Sequence, residues 1–225
     1  MIFFDLDGTL LDFKSAEYFG VRTLYLENKQ HLQMNEDVFY QLWCNVSSKY
    51  YKKYLDGELT FAQQKIERTK GVFAEAGIRL SDHDAEAKFQ TYLKGFEHHW
   101  KAYDDVIPCL YALKGRRLGI ISNGDHAQQV LKLERMGIRE HFEIIVTSGD
   151  AGVAKPDVRI FEIACEKAGL PPEECCYVGD DLYIDILPCE KFGITGIWLN
   201  RYQRAHDEPN IRMIDSLANL GSYLL

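Results

Sequence analysis

An apolar run that ends in two closely spaced acids opens the chain, and it restricts the possible folds more than any other stretch. Residues 2–4, Ile-Phe-Phe, are large side chains typical of a strand that is buried on both faces. Asp5 and Asp7 follow with one apolar residue between them, and Gly8 then permits a sharp turn. The pattern predicts a strand of a parallel sheet with both acids at its carboxyl end, where ligands of such sheets bind.

The spacing of Asp5 and Asp7 also has a chemical consequence. Two carboxylates this close repel each other and lose solvation, and a divalent cation offsets that cost. The backbone amides of the following turn can meet an anion. An exposed turn with two chance acids is the structural alternative, and a lone Asp-x-Asp pair would favour it.

Four further apolar runs follow in the second half of the chain, and helical patterns separate them. They cover residues 118–121, 144–146, 175–178 and 196–199. Strands that alternate with helices of this length imply right-handed crossovers and helices on both faces of a parallel sheet. We therefore predict the α/β class, with a doubly wound parallel sheet.

Residues 13–100 have a different character, because aromatic and charged residues recur there at helical spacing without proline. Four helices are predicted, near residues 14–30, 35–55, 60–76 and 81–98. This stretch carries 12 basic and 12 acidic residues, so the acidic excess of the whole chain lies outside it. We predict two domains, an α/β core of residues 1–12 and 104–225 and an inserted helical domain of residues 13–103.

The ends of the later strands carry groups that suit a phosphorylated ligand. Ser122 and Asn123 precede a helix and can hold a phosphate oxygen, although taken alone they fit a plain turn with a helix cap better. Lys155 precedes Pro156, which stiffens the backbone and can aim the ammonium group, whereas most lysines are solvated. Residues 179–185, Gly-Asp-Asp-Leu-Tyr-Ile-Asp, crowd three acids at a strand end, and Mg²⁺ suits such a cluster.

In this order, the four segments are similar to the motifs of the haloacid dehalogenase-like (HAD) hydrolases, and the similarity covers nearly the whole chain outside the helical insert. The resemblance implies that Asp5 is the nucleophile and forms an aspartyl-phosphate, and that Asp7 is first general acid and then general base. It also implies that Ser122 binds the phosphate and that Lys155 steadies the nucleophile and the phosphoryl group. Elementary chemistry agrees, because a carboxylate attacks a phosphate dianion poorly unless cations neutralise the repulsion.

The same resemblance implies a Mg²⁺ site formed by Asp5, Asp7, Asp180 and Asp185, in which Asp185 supports the metal. Asp181 stands where many relatives have a small polar residue, so either Asp180 or Asp181 could be the main ligand. Pro188 follows Asp185 by three residues and lies in a predicted helix. Proline is tolerated only in the first turn of a helix, so this helix must begin near Asp185.

Substrate contacts are expected at the second and third motifs and in the helical insert, whose position resembles the C1 cap subclass. Residues 54–60 with Arg68, and the segment 197–201, are similar to HAD nucleotidases that act on pyrimidine nucleoside monophosphates. Aromatic residues of the insert could stack a base, but helix aromatics more often form a core. The expected substrate-binding residues are Ser122, Asn123, Gly124, Lys155 and Arg68.

Composition limits the partners and the compartment. A formal net charge of −8 argues against a nucleic-acid polymer as partner, because phosphate backbones are bound by an excess of Lys and Arg. The six cysteines form no Cys-x-x-Cys pair, so free thiols in a reducing cytoplasm are expected. No segment approaches the ~20 apolar residues of a membrane span, and the first apolar run meets Asp5 too early for a signal peptide. No oligomeric state is predicted.

These features favour a Mg²⁺-dependent phosphomonoesterase that hydrolyses small phosphorylated metabolites, with nucleoside monophosphates as the expected substrates. A sugar-phosphate or phosphoglycolate phosphatase, or a phosphomutase, would use the same residues. A 2-haloacid dehalogenase is disfavoured, because such relatives generally lack the second Asp and need no metal, whereas this chain has Asp7 and Asp180. A binding protein without activity is disfavoured by the complete set of catalytic residues.

Overall fold

The structure is a computed structural model that describes residues 1–223, and the chain divides into two compact units. The first unit contains Met1–Asp12 and the chain from Lys101 onwards. The second unit is Phe13–Trp100, a stretch made of helices.

The return of the chain to the first unit lies slightly earlier than the predicted boundary after residue 103. Asp12 N donates to Lys101 O at 2.9 Å, and Tyr103 N donates to Leu10 O at 3.0 Å. These backbone hydrogen bonds fasten residues 101–103 to the segment that follows the first strand. They therefore belong to the first unit, although nothing in their side chains indicates it.

Within residues 1–223, six parallel strands form the sheet of the first unit, in the order β3-β2-β1-β4-β5-β6. The strands are β1 Ile2–Phe4, β2 Leu118–Ser122, β3 Ile144–Thr147, β4 Cys176–Gly179, β5 Thr195–Leu199 and β6 Met213–Ile214. The predicted α/β class and doubly wound parallel sheet are confirmed. Phe4 lies opposite both Ile120 of β2 and Val178 of β4, so the carboxyl ends of three central strands meet at one edge. The strand order reverses between β1 and β4, and doubly wound sheets bind ligands at this position.

Four helices make up the second unit, and all agree with the predicted helices to within two residues at each end. They are α1 Phe13–Asn28, α2 Glu36–Leu55, α3 Phe61–Glu75 and α4 Asp82–His98. Helices α1 and α4 pack closely, because a Cβ on Gly20 would lie only 2.8 Å from the ring of Tyr92. The rings of Phe13 and Phe96 lie 5.4 Å apart, so the first residue of α1 is adjacent to the end of α4.

The helices of the first unit connect the strands and cover the sheet. They are α5 Val106–Ala112, α6 His126–Arg135, α7 Ser148–Ala151, α8 Arg159–Ala168 and α9 Leu187–Phe192. Pro188 stands in the first turn of α9, as its sequence requires, and a short π-helical turn precedes that helix. Phe3, Phe161 and Trp198 are buried in the core of this unit. The sequence patterns miss β6, because two residues are too few to produce an alternation. Within residues 1–223, no helix is long and apolar enough to cross a bilayer.

Candidate active site

Asp5 lies directly after β1 and is buried, with 5 % of its surface exposed. Its backbone N–H donates to Val178 O at 2.8 Å, which extends the pairing of β1 with β4. Gly8 then turns the chain with a φ of +93°, and a Cβ at this residue would lie 2.8 Å from the carboxylate of Asp180. Glycine is therefore needed for the turn after β1 to approach the end of β4 so closely.

Lys155 extends from the segment between α7 and α8 and connects three buried side chains. Its Nζ donates to Asp5 Oδ1 at 2.6 Å, to Asp185 Oδ1 at 2.7 Å and to the Tyr177 hydroxyl at 2.8 Å. Burial by itself would lower the pKa of Lys155, but the carboxylates of Asp185 and Asp5 outweigh burial and raise it. Lys155 is therefore a charged counter-ion for both acids, and the structure brings it to Asp5 as predicted.

The backbone of Lys155 is held by a residue that the sequence analysis assigned to substrate binding. Asn123 Nδ2 donates to Lys155 O at 3.0 Å, and Asn123 Oδ1 accepts from Lys155 N at 2.8 Å. The N–H of Gly124 donates to Ser148 Oγ at 2.8 Å. These groups of Asn123 and Gly124 bind within the protein, and the expected contacts of both residues with substrate stay a prediction.

Three carboxylates at the ends of β1 and β4 form a candidate metal site. Oxygens of Asp5, Asp180 and Asp185 lie within 4.8 Å of one another. Burial, with repulsion from Asp5 and Asp185, raises the pKa of Asp180 to about 8. Burial also raises the pKa of Asp5 to about 7, although Lys155 opposes this shift. Asp5 and Asp185 are buried and Asp180 is half-buried. Because this cluster carries more negative charge than Lys155 balances and offers only oxygen ligands, it fits a hard cation such as Mg²⁺.

The choice between Asp180 and Asp181 as the main metal ligand follows from their hydrogen bonds. Asp181 Oδ1 accepts from Tyr183 N and from Ile184 N, both at 2.9 Å. The Asp181 carboxylate therefore caps the turn that follows β4, and it is not part of the acidic cluster. The geometry favours Asp180.

Two side chains of α6 hold Asp7, and the sequence analysis singled out neither of them. Lys132 Nζ donates to Asp7 Oδ1 at 2.7 Å and to Oδ2 at 2.8 Å. Gln129 Nε2 donates to Asp7 Oδ2 at 3.0 Å and to Ser122 Oγ at 2.7 Å. The Asp7 carboxylate thus pairs with Lys132 through both oxygens and is not part of the cluster of Asp5, Asp180 and Asp185, so the place of Asp7 among the metal residues stays a prediction. The bond from Gln129 leaves the Ser122 hydroxyl able to donate its proton to a phosphate oxygen.

The end of β5 and the segment after it support the same site from the other side of β4. Trp198 Nε1 donates to Asp180 O at 3.0 Å. Arg204 donates to this carbonyl as well, and to Asp180 Oδ2 at 3.2 Å. Arg201 donates to Thr9 O at 2.9 Å and so holds the turn after β1. These contacts give a structural role to residues near the segment 197–201, which the sequence analysis related to substrate class.

Arg68 lies in the helical unit, and its guanidinium group is packed among aromatic rings. The group is 5.2 Å from the ring centroids of Trp43 and Phe89 and 5.6 Å from that of Tyr92. Trp43 is fully buried and stacks on Tyr92 at 4.3 Å, so it belongs to the core of this unit. Arg68 Nε is buried and has no hydrogen-bond partner among residues 1–223, so its N–H is an available donor.

A carboxylate at a topological switch point, a lysine between two buried acids and a hydroxyl on the neighbouring strand together form the candidate active site of an α/β enzyme. The family model of haloacid dehalogenase-like hydrolases matches residues 1–193. The chain belongs to this family of hydrolases.

Its relatives include phosphatases that match most of its length. Pyrimidine 5′-nucleotidase YjjG of Escherichia coli (strain K12) is 31% identical over 209 residues, which are 92% of this chain and 88% of that protein. N-acylneuraminate-9-phosphatase of Homo sapiens is 27% identical over 209 residues, 89% of this chain and 82% of that protein. The crystal structure of the HAD-hydrolase YfnB from Bacillus subtilis, bound to magnesium, has a TM-score of 0.85 at 24% identity and covers 99% of this chain and 97% of that one. The chain is a phosphoric monoester hydrolase.

Proposed function

We propose that this hydrolase is a Mg²⁺-dependent phosphomonoesterase that works through an aspartyl-phosphate on Asp5. The observation that carries the proposal is the buried ion cluster, in which Lys155 Nζ lies 2.6 Å from Asp5 Oδ1 and 2.7 Å from Asp185 Oδ1. A carboxylate attacks a phosphate dianion only when positive charge offsets their repulsion. Mg²⁺ held by Asp5, Asp180 and Asp185 would supply more positive charge at that point.

The residues of the site divide the reaction between them. First, an oxygen of Asp5 attacks phosphorus, and Asp7 gives a proton to the leaving oxygen as its bond to phosphorus breaks. Next, water attacks the phosphoryl group, Asp7 accepts a proton from that water, and the Asp5 carboxylate leaves with release of inorganic phosphate. Ser122 donates to a phosphate oxygen, and Lys155 balances charge beside Asp5. Acid–base assistance of this kind is worth about 10²–10⁴ in rate.

The substrates proposed are small phosphorylated metabolites, with pyrimidine nucleoside monophosphates first. The relative at 31% identity over 92% of this chain, a pyrimidine 5′-nucleotidase, supports this order. Arg68 is proposed as a specificity residue of the helical unit, because its unpartnered Nε–H can donate to a carbonyl oxygen. Sugar phosphates are the second candidate, supported by the relative that is an N-acylneuraminate-9-phosphatase.

A cytoplasmic location is also proposed. All six cysteines are free, and Cys165 and Cys175 are buried with their sulfur atoms 3.9 Å apart. Thiols persist in this form in a reducing compartment. The free thiols of this chain therefore support the proposed cytoplasmic location.

Hydrolysis of 4-nitrophenyl phosphate is expected to require a divalent cation and to stop when a chelator removes it. The reason is that burial raises the pKa of Asp5 to about 7 and that of Asp180 to about 8, so Lys155 and Arg204 compensate the negative charge of the cluster only in part. Phosphate release is measured with Mg²⁺, with EDTA, and with EDTA followed by excess Mg²⁺, and circular dichroism checks that the chelated protein stays folded. Full turnover in EDTA contradicts the metal requirement.

A pyrimidine nucleoside monophosphate is expected to have one of the highest kcat/KM values in a panel of phosphometabolites. The panel includes uridine and cytidine monophosphates, several sugar phosphates and phosphoglycolate, and the measurement is initial phosphate release at several concentrations. If the nucleotides fall below sugar phosphates or phosphoglycolate by about tenfold or more, the substrate proposal fails and the phosphatase activity stands.

A further inference from the structure

Two residues of α6, Lys132 and Gln129, contact Asp7, and neither has a role in the proposed reaction. Lys132 Nζ lies 2.7 Å from Asp7 Oδ1 and 2.8 Å from Oδ2, and the Lys132 side chain is only 3% exposed. Gln129 is fully buried and donates to Asp7 Oδ2 at 3.0 Å. We propose that Lys132 and Gln129 are positioning residues, which orient the Asp7 carboxylate for proton exchange with the leaving oxygen and with water.

The hydrogen bonds of the carboxylate leave room for that exchange. A carboxylate accepts at about four lone-pair positions. Lys132 and Gln129 together fill three of them, one on Oδ1 and two on Oδ2. Asp7 is 23% exposed at its side chain, whereas Lys132 and Gln129 are buried. The two partners therefore hold the carboxylate from the protein side and leave its accessible side for the reacting oxygen.

Gln129 also connects the proton-transfer side of the site to its phosphate-binding side. The same Nε2 that donates to Asp7 donates to Ser122 Oγ at 2.7 Å. One amide nitrogen thus sets the separation between Asp7 and the Ser122 hydroxyl, which holds the phosphate in the proposed mechanism. An error of about 1 Å in such a separation can lower a rate by about 10²-fold.

The helix that carries both residues is fixed at its start. Gln129 and Lys132 are three residues apart on α6 and so lie on the same face. Asp125 caps this helix by accepting from Gln128 N at 3.0 Å. The orientation of α6 about its axis therefore directs both side chains to Asp7. A solvated lysine at position 132 would be exposed and would not contact both oxygens of the Asp7 carboxylate.

This inference rests on the proposed function and is tested by the dependence on the leaving group. In Lys132→Met, single-turnover cleavage of uridine monophosphate, whose alkoxide leaves poorly without a proton, is expected to slow by about 10²-fold. Cleavage of 4-nitrophenyl phosphate, whose leaving group needs little protonation, is expected to slow by less than about fivefold in its first step. Because Asp7 must then activate water, the nitrophenolate should appear as a burst followed by slow turnover.

Conservative and neighbouring variants separate positioning from a general loss of structure. Lys132→Arg keeps the charge and the paired donors and is expected to restore most of the rate with uridine monophosphate. Gln129→Leu is expected to show the same dependence on the leaving group in a weaker form, and Gln128→Leu serves as its matched control. Lys167→Met, at an exposed position of α8, is the control for Lys132→Met. Thermal unfolding and calorimetric Mg²⁺ binding are measured for every variant.

The outcomes distinguish this inference from the proposed function. If the wild-type protein releases no phosphate from either substrate, the proposed function fails. If the wild type is active and both variants slow the two substrates equally, Lys132 and Gln129 are only structural and the inference is overturned. If Lys132→Met does not fold, Lys132→Gln, which places a neutral polar side chain at this buried position, and Gln129→Leu decide between the same two results.

Discussion

Asp5→Asn is expected to form no phosphoenzyme and to lose about 10⁴-fold or more in kcat, the order observed when a catalytic nucleophile is removed. Asn keeps the shape of Asp5, but its amide cannot attack phosphorus. It also removes one of the three carboxylates that lie within 4.8 Å of one another. The measurement combines phosphate release with mass spectrometry of the peptide that contains residue 5, after quenching in acid.

Asp7→Asn is expected to fail in a different way, because the nucleophile remains. Both half-reactions should slow by about 10² or more, since the leaving oxygen is no longer protonated and water is no longer activated. With 4-nitrophenyl phosphate the first step should recover while hydrolysis stays slow, so a phosphate accumulates on Asp5. A label on another residue would contradict the assigned roles, as would turnover by Asp5→Asn. Mass spectrometry must first exclude deamidation of the new Asn, which would restore Asp.

Lys155→Met is expected to lower the free energy of unfolding by about 3–5 kcal/mol, as well as to abolish activity. The variant leaves two buried carboxylates without their counter-ion, since the side chains of Asp5 and Asp185 are 7% and 3% exposed. Denaturant unfolding measures the stability, and phosphate release measures the activity. Lys167→Met, an exposed lysine of α8, is the matched control and should change stability by no more than about 0.5 kcal/mol.

A second substitution tests the cause of that loss. Asp185→Asn in the Lys155→Met background removes one of the two buried carboxylates that lack a counter-ion. This double variant should recover part of the stability without recovering activity. The coupling between the two positions then appears as non-additivity in a double-mutant cycle. If Lys155→Met unfolds at the denaturant concentration of the wild type, the buried pair contributes nothing to stability and this explanation is wrong.

The parts of the site that lie at strand ends were predictable, because each depends on a local pattern. An apolar run followed by Asp5, Ser122 or Asp180 predicts both a strand and the edge where its polar side chain lies. Parallel strands then bring these ends together, as the register of β1 with β2 and β4 shows. The four helices of the second unit were equally accessible, since their periodicity extends over many turns.

The contacts between those ends were not predictable, because they join residues far apart in the chain. Lys132 and Asp7 are separated by 125 positions, and a lysine on a helix gives no indication that it is buried. Asn123 and Lys155 are 32 positions apart, and no local pattern indicates that the Asn123 amide pairs with the backbone of the lysine. A sequence pattern identifies which side chains can bind a ligand or react, whereas the hydrogen-bond partners of those side chains depend on tertiary packing.

The close packing of α1 against α4 has a consequence for how the sheet assembles. Ile2 must pair with Leu118 across a stretch that includes the whole helical unit. Closing so long a loop costs entropy before the pairing stabilises anything, which slows folding. Because the rings of Phe13 and Phe96 lie only 5.4 Å apart, the helical unit, once folded, returns the chain to the point where it left. Helices that form early would thus shorten the effective loop between β1 and β2 to the segments that flank the helical unit, residues 5–12 and 101–117, which lowers the entropy lost when these two parallel strands pair.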